Sequence, residues 1–87
     1  MQGSFVAYVL VNADTKKYIG ITSDISKRLA EHNEGKSEYT SFRGPWTLLW
    51  SSRVMSHTEA LRLEKLMKKQ KGGDGLQVLM RIFSQGS

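Results

Sequence analysis

Phe5-Val6-Ala7-Tyr8-Val9-Leu10-Val11, followed after five residues by Lys17-Tyr18-Ile19-Gly20-Ile21-Thr22, is the stretch whose reading sets the fold. The first run is unbroken, apolar and rich in β-branched and aromatic residues. It is too short for an ordinary helix, which makes it a central strand buried on both faces. Asn12-Ala13-Asp14-Thr15-Lys16 has turn composition. So short a connection between two strands implies an antiparallel hairpin. With the turn centred on Ala13, Tyr8 and Tyr18 are cross-strand partners, and directly opposed residues share one face of the sheet.

Working outward, Asp24 offers a side-chain oxygen as a helix N-cap. Ile25, Leu29 and Ala30 carry the helical stripe to about Asn33, and Gly35 stops it. Residues 36–46 form a loop closed by Gly44-Pro45. Trp46 to Val54 reads as a third strand, with Leu48, Leu49, Trp50 and Val54 apolar. Ser56 and Glu59 have the spacing of a capping box, which opens the longest helix, to about Lys71. Gly72-Gly73-Asp74-Gly75 breaks the chain, and Leu76 to Phe83 forms a final helix covering the sheet. The order β-β-α-β-α-α gives an α/β (α+β) fold, a three-stranded antiparallel sheet flanked by helices. The 87 residues fit one domain over 1–87, with a core at about 5–71 and the covering helix at about 75–84.

A domain of this size buries roughly 60% of the surface its unfolded chain exposes. An open, shallow site is therefore expected rather than an enclosed cofactor pocket. The absence of cysteine excludes disulfides, thiolate metal sites and cysteine nucleophiles. It also suits a reducing compartment, and a cytoplasmic location is expected. The opening residues lack the pattern of a signal peptide, and no run approaches the ~20 apolar residues of a membrane span. The net charge of +5 favours polyanionic partners such as nucleic acid.

Both main helices place polar groups where apolar ones belong. On the second, Ala60, Leu61, Leu63, Leu66 and Met67 form one stripe, and Glu64 falls inside it. A carboxylate on a core-facing side is costly unless a cation, a hydrogen-bond network or a metal pairs with it. On the first, Arg28 and His32 stand at i and i+4 beside Ile25 and Leu29, while Lys27 and Glu31 take the solvent face. Two readings stay open at this stage. Arg28 and Glu64 form a structural ion pair around a core histidine, or these groups and the two tyrosines form a chemical site. Gly20, inside a strand, marks either a bulge or the close approach of another backbone or ligand.

One carboxylate, one arginine, one histidine and two tyrosines narrow the chemistry. A paired-carboxylate glycosidase is disfavoured. No nucleophile elbow and no phosphate-binding Walker loop occur, and His32 with His57 is too few for multi-histidine zinc. A single carboxylate can hold a Mg²⁺ that keeps most of its water and also binds phosphate oxygens. Arginine presents a planar fork that matches phosphate, and tyrosine or histidine can move a proton to or from water.

These residues resemble the GIY-YIG nuclease family, in its small stand-alone bacterial form. The second signature triplet stands intact as Tyr18-Ile19-Gly20. The first is represented by Val6-Ala7-Tyr8, which keeps the tyrosine and loses the glycine and isoleucine. Lys27-Arg28-Leu29-Ala30-Glu31-His32-Asn33 looks like the family's arginine-bearing helix. Tyr39-Thr40 with Arg43-Gly44-Pro45-Trp46-Thr47-Leu48 is similar to the small subfamily. Glu59-Ala60-Leu61-Arg62-Leu63-Glu64-Lys65 resembles the helix that carries the metal-binding glutamate.

The resemblance implies the GIY-YIG fold and in-line hydrolysis of DNA phosphodiester bonds with one Mg²⁺ or Mn²⁺, in a repair or recombination setting. It implies Glu64 as metal ligand, Tyr8 as leading candidate for general base, and Tyr18 as orienting phosphate or water. Arg28 stabilises charge on the phosphoryl oxygens. His32 hydrogen-bonds a tyrosine or relays a proton, and Gly20 lets the sheet approach the substrate. The supporting asparagine of larger members has no counterpart, because no asparagine follows Asn33.

Lys27, Arg43, Lys65 and Lys68 are the candidate phosphate contacts, in a basic setting that includes Arg62, Lys69 and Lys71. Phe42, Trp46 and Trp50 are candidates for stacking on bases, with Phe42 favoured and Trp50 assigned to the core. The competing reading is a non-catalytic nucleic-acid-binding or interaction module that keeps the fold. A protein partner for targeting and a monomer or weak homodimer are expected, the latter because Leu76, Val78, Leu79, Met80, Ile82 and Phe83 exceed what a lone terminal helix needs.

Overall fold

The structure, a computed structural model, describes residues 3–35, 44–70 and 73–85. Strands β1 (Val6–Val11), β2 (Lys17–Thr22) and β3 (Thr47–Ser51) form an antiparallel sheet in the order β2-β1-β3. Helices α1 (Ile25–Asn33), α2 (His57–Lys69) and α3 (Asp74–Ile82) complete the expected element order. No helix among the described residues is long and apolar enough to cross a membrane.

Helix starts follow the capping chemistry. The Asp24 side chain accepts from the Lys27 amide at 3.1 Å. Ser56 accepts from the Glu59 amide, and Glu59 reaches back to the Ser56 amide, each at 3.1 Å. Each such cap contributes about 1 kcal/mol. Gly35 adopts φ 79 just past the end of α1, a left-handed conformation in which glycine meets no Cβ penalty.

The hairpin register differs from the expected one. Asn12 pairs with Lys16, and Tyr8 lies opposite Gly20 while Tyr18 lies opposite Leu10. The turn therefore centres on Asp14 rather than Ala13. Thr15 at φ 63 supplies the left-handed residue of a three-residue loop, and the Asn12 side-chain oxygen ties down the amides of Asp14 and Lys16. Because the pairing moves by an even step, both tyrosines still face the same side.

Alternation along the strands makes two different layers. Ala7, Val9 and Ile19 pack with Ala60, Leu63, Met67 and Leu76 in a core beneath α2 and α3. Tyr8 and Leu10 pack with Trp46, Tyr18, Ile25, Leu29 and Leu48 beneath α1. Each large apolar side chain fully buried this way contributes about 1.5–3 kcal/mol. Along α2, Leu61 and Leu66 of the expected stripe are exposed, so the buried part is only Ala60, Leu63 and Met67.

The third strand is shorter than Trp46–Val54. Val9 pairs with Trp50 and the next residue, Leu10, pairs with Leu48, so Leu49 is an extra, bulged residue. The bulge lets Trp50 join one core and Leu48 the other, and leaves Leu49 exposed. Past Ser51 the ladder is patched by a side chain. Ser52, fully buried, accepts from the Ala7 amide at 2.9 Å. Isolated bridges then join Met55 to Phe5 and Ser52 to Ser84. Helix α2 ends at Lys69, capped by Gln70, short of the expected Lys71.

Candidate active site

Strands β1 and β2 carry Tyr8 and Tyr18 to the face beneath α1, and that helix answers with His32 and Arg28 one turn apart. The phenol oxygen of Tyr8 and Nε2 of His32 are 2.9 Å apart. The His32 ring lies 4.7 Å from the Tyr18 ring, centre to centre, and the two phenol rings are 6.2 Å apart. The charge of the Arg28 guanidinium is stabilised by Tyr8 and, more weakly, by Tyr18.

With a neutral imidazole that carries its proton on Nδ1, the Tyr8 hydroxyl donates to Nε2 of His32. Burial, then the Arg28 charge, lowers the His32 pKa below its usual value, with Glu31 opposing. The imidazole is therefore neutral near pH 7 and fit to accept. Burial pushes the Tyr8 phenol up to about 12 against the lowering effect of Arg28, and the fields of Tyr18 and Glu64 push the same way as burial. Of these influences the field of Glu64, from α2, is the smallest.

Gly20 completes the arrangement by what it lacks. A Cβ there would lie 2.8 Å from the Tyr8 hydroxyl, 2.9 Å from its ring and 3.1 Å from Tyr18. The space of the missing side chain is filled by the phenols. Gly20 is buried, so it makes room for Tyr8 rather than for an approaching substrate.

Access differs between the two phenols. Tyr8 and His32 are each 1% exposed, whereas Tyr18 is half-buried. The group expected to meet the attacking water is thus the enclosed one. Arg28 borders an open cleft of about 350 Å³ lined by Thr22, Ser23, Asp24, Lys27 and Glu31, whose surface is mainly polar.

The expected solvent position of Glu31 is corrected, because its carboxylate holds Arg28 at 2.9 Å. That bond, followed by the one to Tyr8, raises the Arg28 pKa further. The i, i+3 spacing was the signal for it in the sequence. Arg28 and Glu64 do not pair. Glu64, with 18% of its side chain exposed, is held instead by Lys68 at 3.2 Å. Among the described residues, no group of three or more His, Asp or Glu gathers to hold a metal.

Of the phosphate-contact candidates, Lys27 is exposed on the cleft and Lys65 is exposed on α2. Lys68 is engaged with Glu64. Arg43 and Phe42 lie outside the described residues. Trp46 is buried and Trp50 packs on the α2 core, so neither offers a face for stacking. Asn33 was given no role, yet its side chain accepts from the Trp46 amide at 2.6 Å and donates to the Trp46 carbonyl at 3.0 Å. It joins the end of α1 to the start of β3. His57, also without an assigned role, packs its ring on Phe5 at 4.7 Å.

Comparison with known proteins bears on the same residues. The GIY-YIG catalytic domain matches residues 4–77. The UPF0213 proteins of Streptococcus pyogenes serotype M5 (strain Manfredo) and serotype M2 (strain MGAS10270) are each 46% identical over 65 residues, which is 74% of this chain and 71% of theirs. A UPF0213 protein of serotype M3 (strain ATCC BAA-595 / MGAS315) is 45% identical over the same length and coverage. No solved structure gives a significant match.

Proposed function

This chain belongs to the GIY-YIG catalytic-domain family, and from that premise we propose that it is a metal-dependent endonuclease that hydrolyses DNA phosphodiester bonds in line, with one divalent cation. One observation carries this reading. The Arg28 guanidinium stands at the edge of an open polar cleft, its charge stabilised by two phenols of which one, Tyr18, is reachable from solvent.

The cleft receives a phosphate of the DNA backbone. Lys27, exposed at its rim, meets a neighbouring phosphate and positions the strand. Arg28 exchanges Glu31 for a phosphoryl oxygen, and its planar fork stabilises the charge that builds there. Tyr18, the phenol open to solvent, passes its own proton to bulk water as it takes one from the attacking water. Tyr8 and His32 act behind it as positioning residues. The neutral imidazole fixes the phenol of Tyr8, and that phenol fixes the guanidinium.

The residues fit a hard, water-rich cation. With no group of three or more His, Asp or Glu gathered among the described residues, the protein suits Mg²⁺ or Mn²⁺, which retain water ligands, and does not suit zinc. Glu64 is half-buried yet reachable, and its partner Lys68 is mostly exposed, so the pair is readily broken. When bound, the ion supplies charge neutralisation at the phosphoryl group and the leaving oxygen. The proposal extends to repair or recombination intermediates as substrates, with targeting supplied by a protein partner.

Branched, flapped and plain duplex DNA, incubated with and without Mg²⁺ or Mn²⁺, tests this. Cleavage is expected only with the ion, and Glu64→Gln is expected to lose both cleavage and Mn²⁺ binding read by electron paramagnetic resonance. Ion-independent binding with no cleavage of any substrate would turn the assignment to a non-catalytic binding module.

A further inference from the structure

A second cavity, of about 260 Å³, shares no residue with the candidate active site. One wall is a single face of α2, because Glu59, Arg62, Leu63 and Leu66 follow the i, i+3, i+4, i+7 spacing over about 10 Å. Arg53, Val54 and Met55 from the connection between β3 and α2, with Phe83, complete the lining.

The groove is apolar at its base and basic at its rim. Val54 and Leu66 are 59% and 46% exposed, large apolar surfaces left in water by the packing of this chain. The Arg53 guanidinium sits 4.9 Å over the Phe83 ring and donates to the Ile82 carbonyl at 3.2 Å, which holds its charge at the groove. Arg62 is exposed and has no carboxylate partner among the described residues. The acidic residue on this wall, Glu59, is committed to the Ser56 amide at the helix start.

We infer that this groove is the docking site for a short acidic and apolar segment of a partner protein, its apolar side chains seated on Val54, Leu63 and Leu66 and its carboxylates met by Arg53 and Arg62. Charge complementarity selects this occupant. A second copy of the chain would bring the same arginines and the same net charge of +5 to the interface. A DNA backbone would meet the arginines and leave the apolar base unused. A drug-sized ligand is disfavoured by volume, since such sites usually span about 300–1,000 Å³. An amphipathic segment laid along a helix face matches both features. This inference goes beyond the nuclease reading and does not depend on it.

Random peptides displayed on phage, selected against the immobilised full chain, give the test. Enriched peptides are expected to combine Asp or Glu with Leu, Ile or Phe. As synthetic peptides they are expected to shift amide resonances of residues 53–55 and 62–66. Leu66→Asn and Arg62→Glu are each expected to weaken binding by about tenfold or more. Both side chains are exposed, so both variants are expected to keep the wild-type far-ultraviolet spectrum. Enrichment of peptides without acidic residues, binding that survives both substitutions, or no enrichment at all would overturn the inference. So would a wild-type dimer, seen in sedimentation, that Leu66→Asn dissolves, or a duplex DNA affinity that Leu66→Asn reduces.

Discussion

The two faces of the sheet are built from alternate residues of the same strands, yet they obey different rules. Ala7, Val9 and Ile19 meet α2 and α3 through shape alone. Tyr8, one position away, meets α1 through a hydrogen bond to His32, and both phenols stabilise the charge of Arg28. A dry face tolerates no polar atom without a partner, while the polar face is polar because every group there has one. The larger buried apolar cluster lies beneath α2 and α3, and the hydrogen-bonded Tyr8–His32 pair lies beneath α1. The sheet allows both because the alternation of a strand never lets one side chain serve the two faces.

The sharpest way to break this contrast is to remove one phenol oxygen at a time. Tyr18→Phe is expected to lower kcat for DNA cleavage by about 10²–10⁴-fold. Tyr8→Phe is expected to cost about tenfold less in kcat than Tyr18→Phe, as suits a group that acts through Arg28. Steady-state cleavage rates decide, and a larger loss at Tyr8 would exchange the two roles. On the other face, Met67→Ala is expected to cost about 2–5 kcal/mol of stability in urea unfolding. Its activity per folded molecule is expected to stay near wild type. An equal loss of activity would show that the two layers are not separable.

Gly20→Ala is expected to fall between these cases. Its Cβ would press on the rigid Tyr8 ring, at a cost of about 1–3 kcal/mol, with a fall in cleavage as the phenol moves. The smallest expected effect is on pH. The folded protein holds His32 below its unfolded pKa, so the unfolded chain takes the proton first as pH falls. The stability contribution is complete above the unfolded value of about 6.5 and is lost as pH drops through the lower folded value. Unfolding midpoints measured down this range should fall for the wild type and fall less for His32→Gln. Identical slopes would remove His32 from the account.

Most of the fold was legible because local signals agreed with one another. The apolar run, the capping residues Asp24 and Ser56 with Glu59, and the stop at Gly35 all point to the elements observed. The arginine and histidine of α1 were legible as a helical spacing, and Glu64 as a break in an apolar stripe. The register was not, because it depends on Thr15 adopting a conformation that β-branched residues rarely enter. The pairing of Arg28 with Glu31 was not legible, because a long guanidinium side chain can reach across from one helix face to the next. The enclosure of Tyr8 depends on Gly20 lying opposite it, and so follows from the same missed turn. The exposure of Leu66 and Val54 is a property of the packed chain, which no single segment encodes.

The extra residue at Leu49 also governs what the molecule does not join. β3 is an outer strand, and a regular outer strand offers a row of free amides and carbonyls on which another chain can extend the ladder. The bulge twists that row out of line and interrupts its spacing. An outer strand interrupted in this way is a poor template for a further strand.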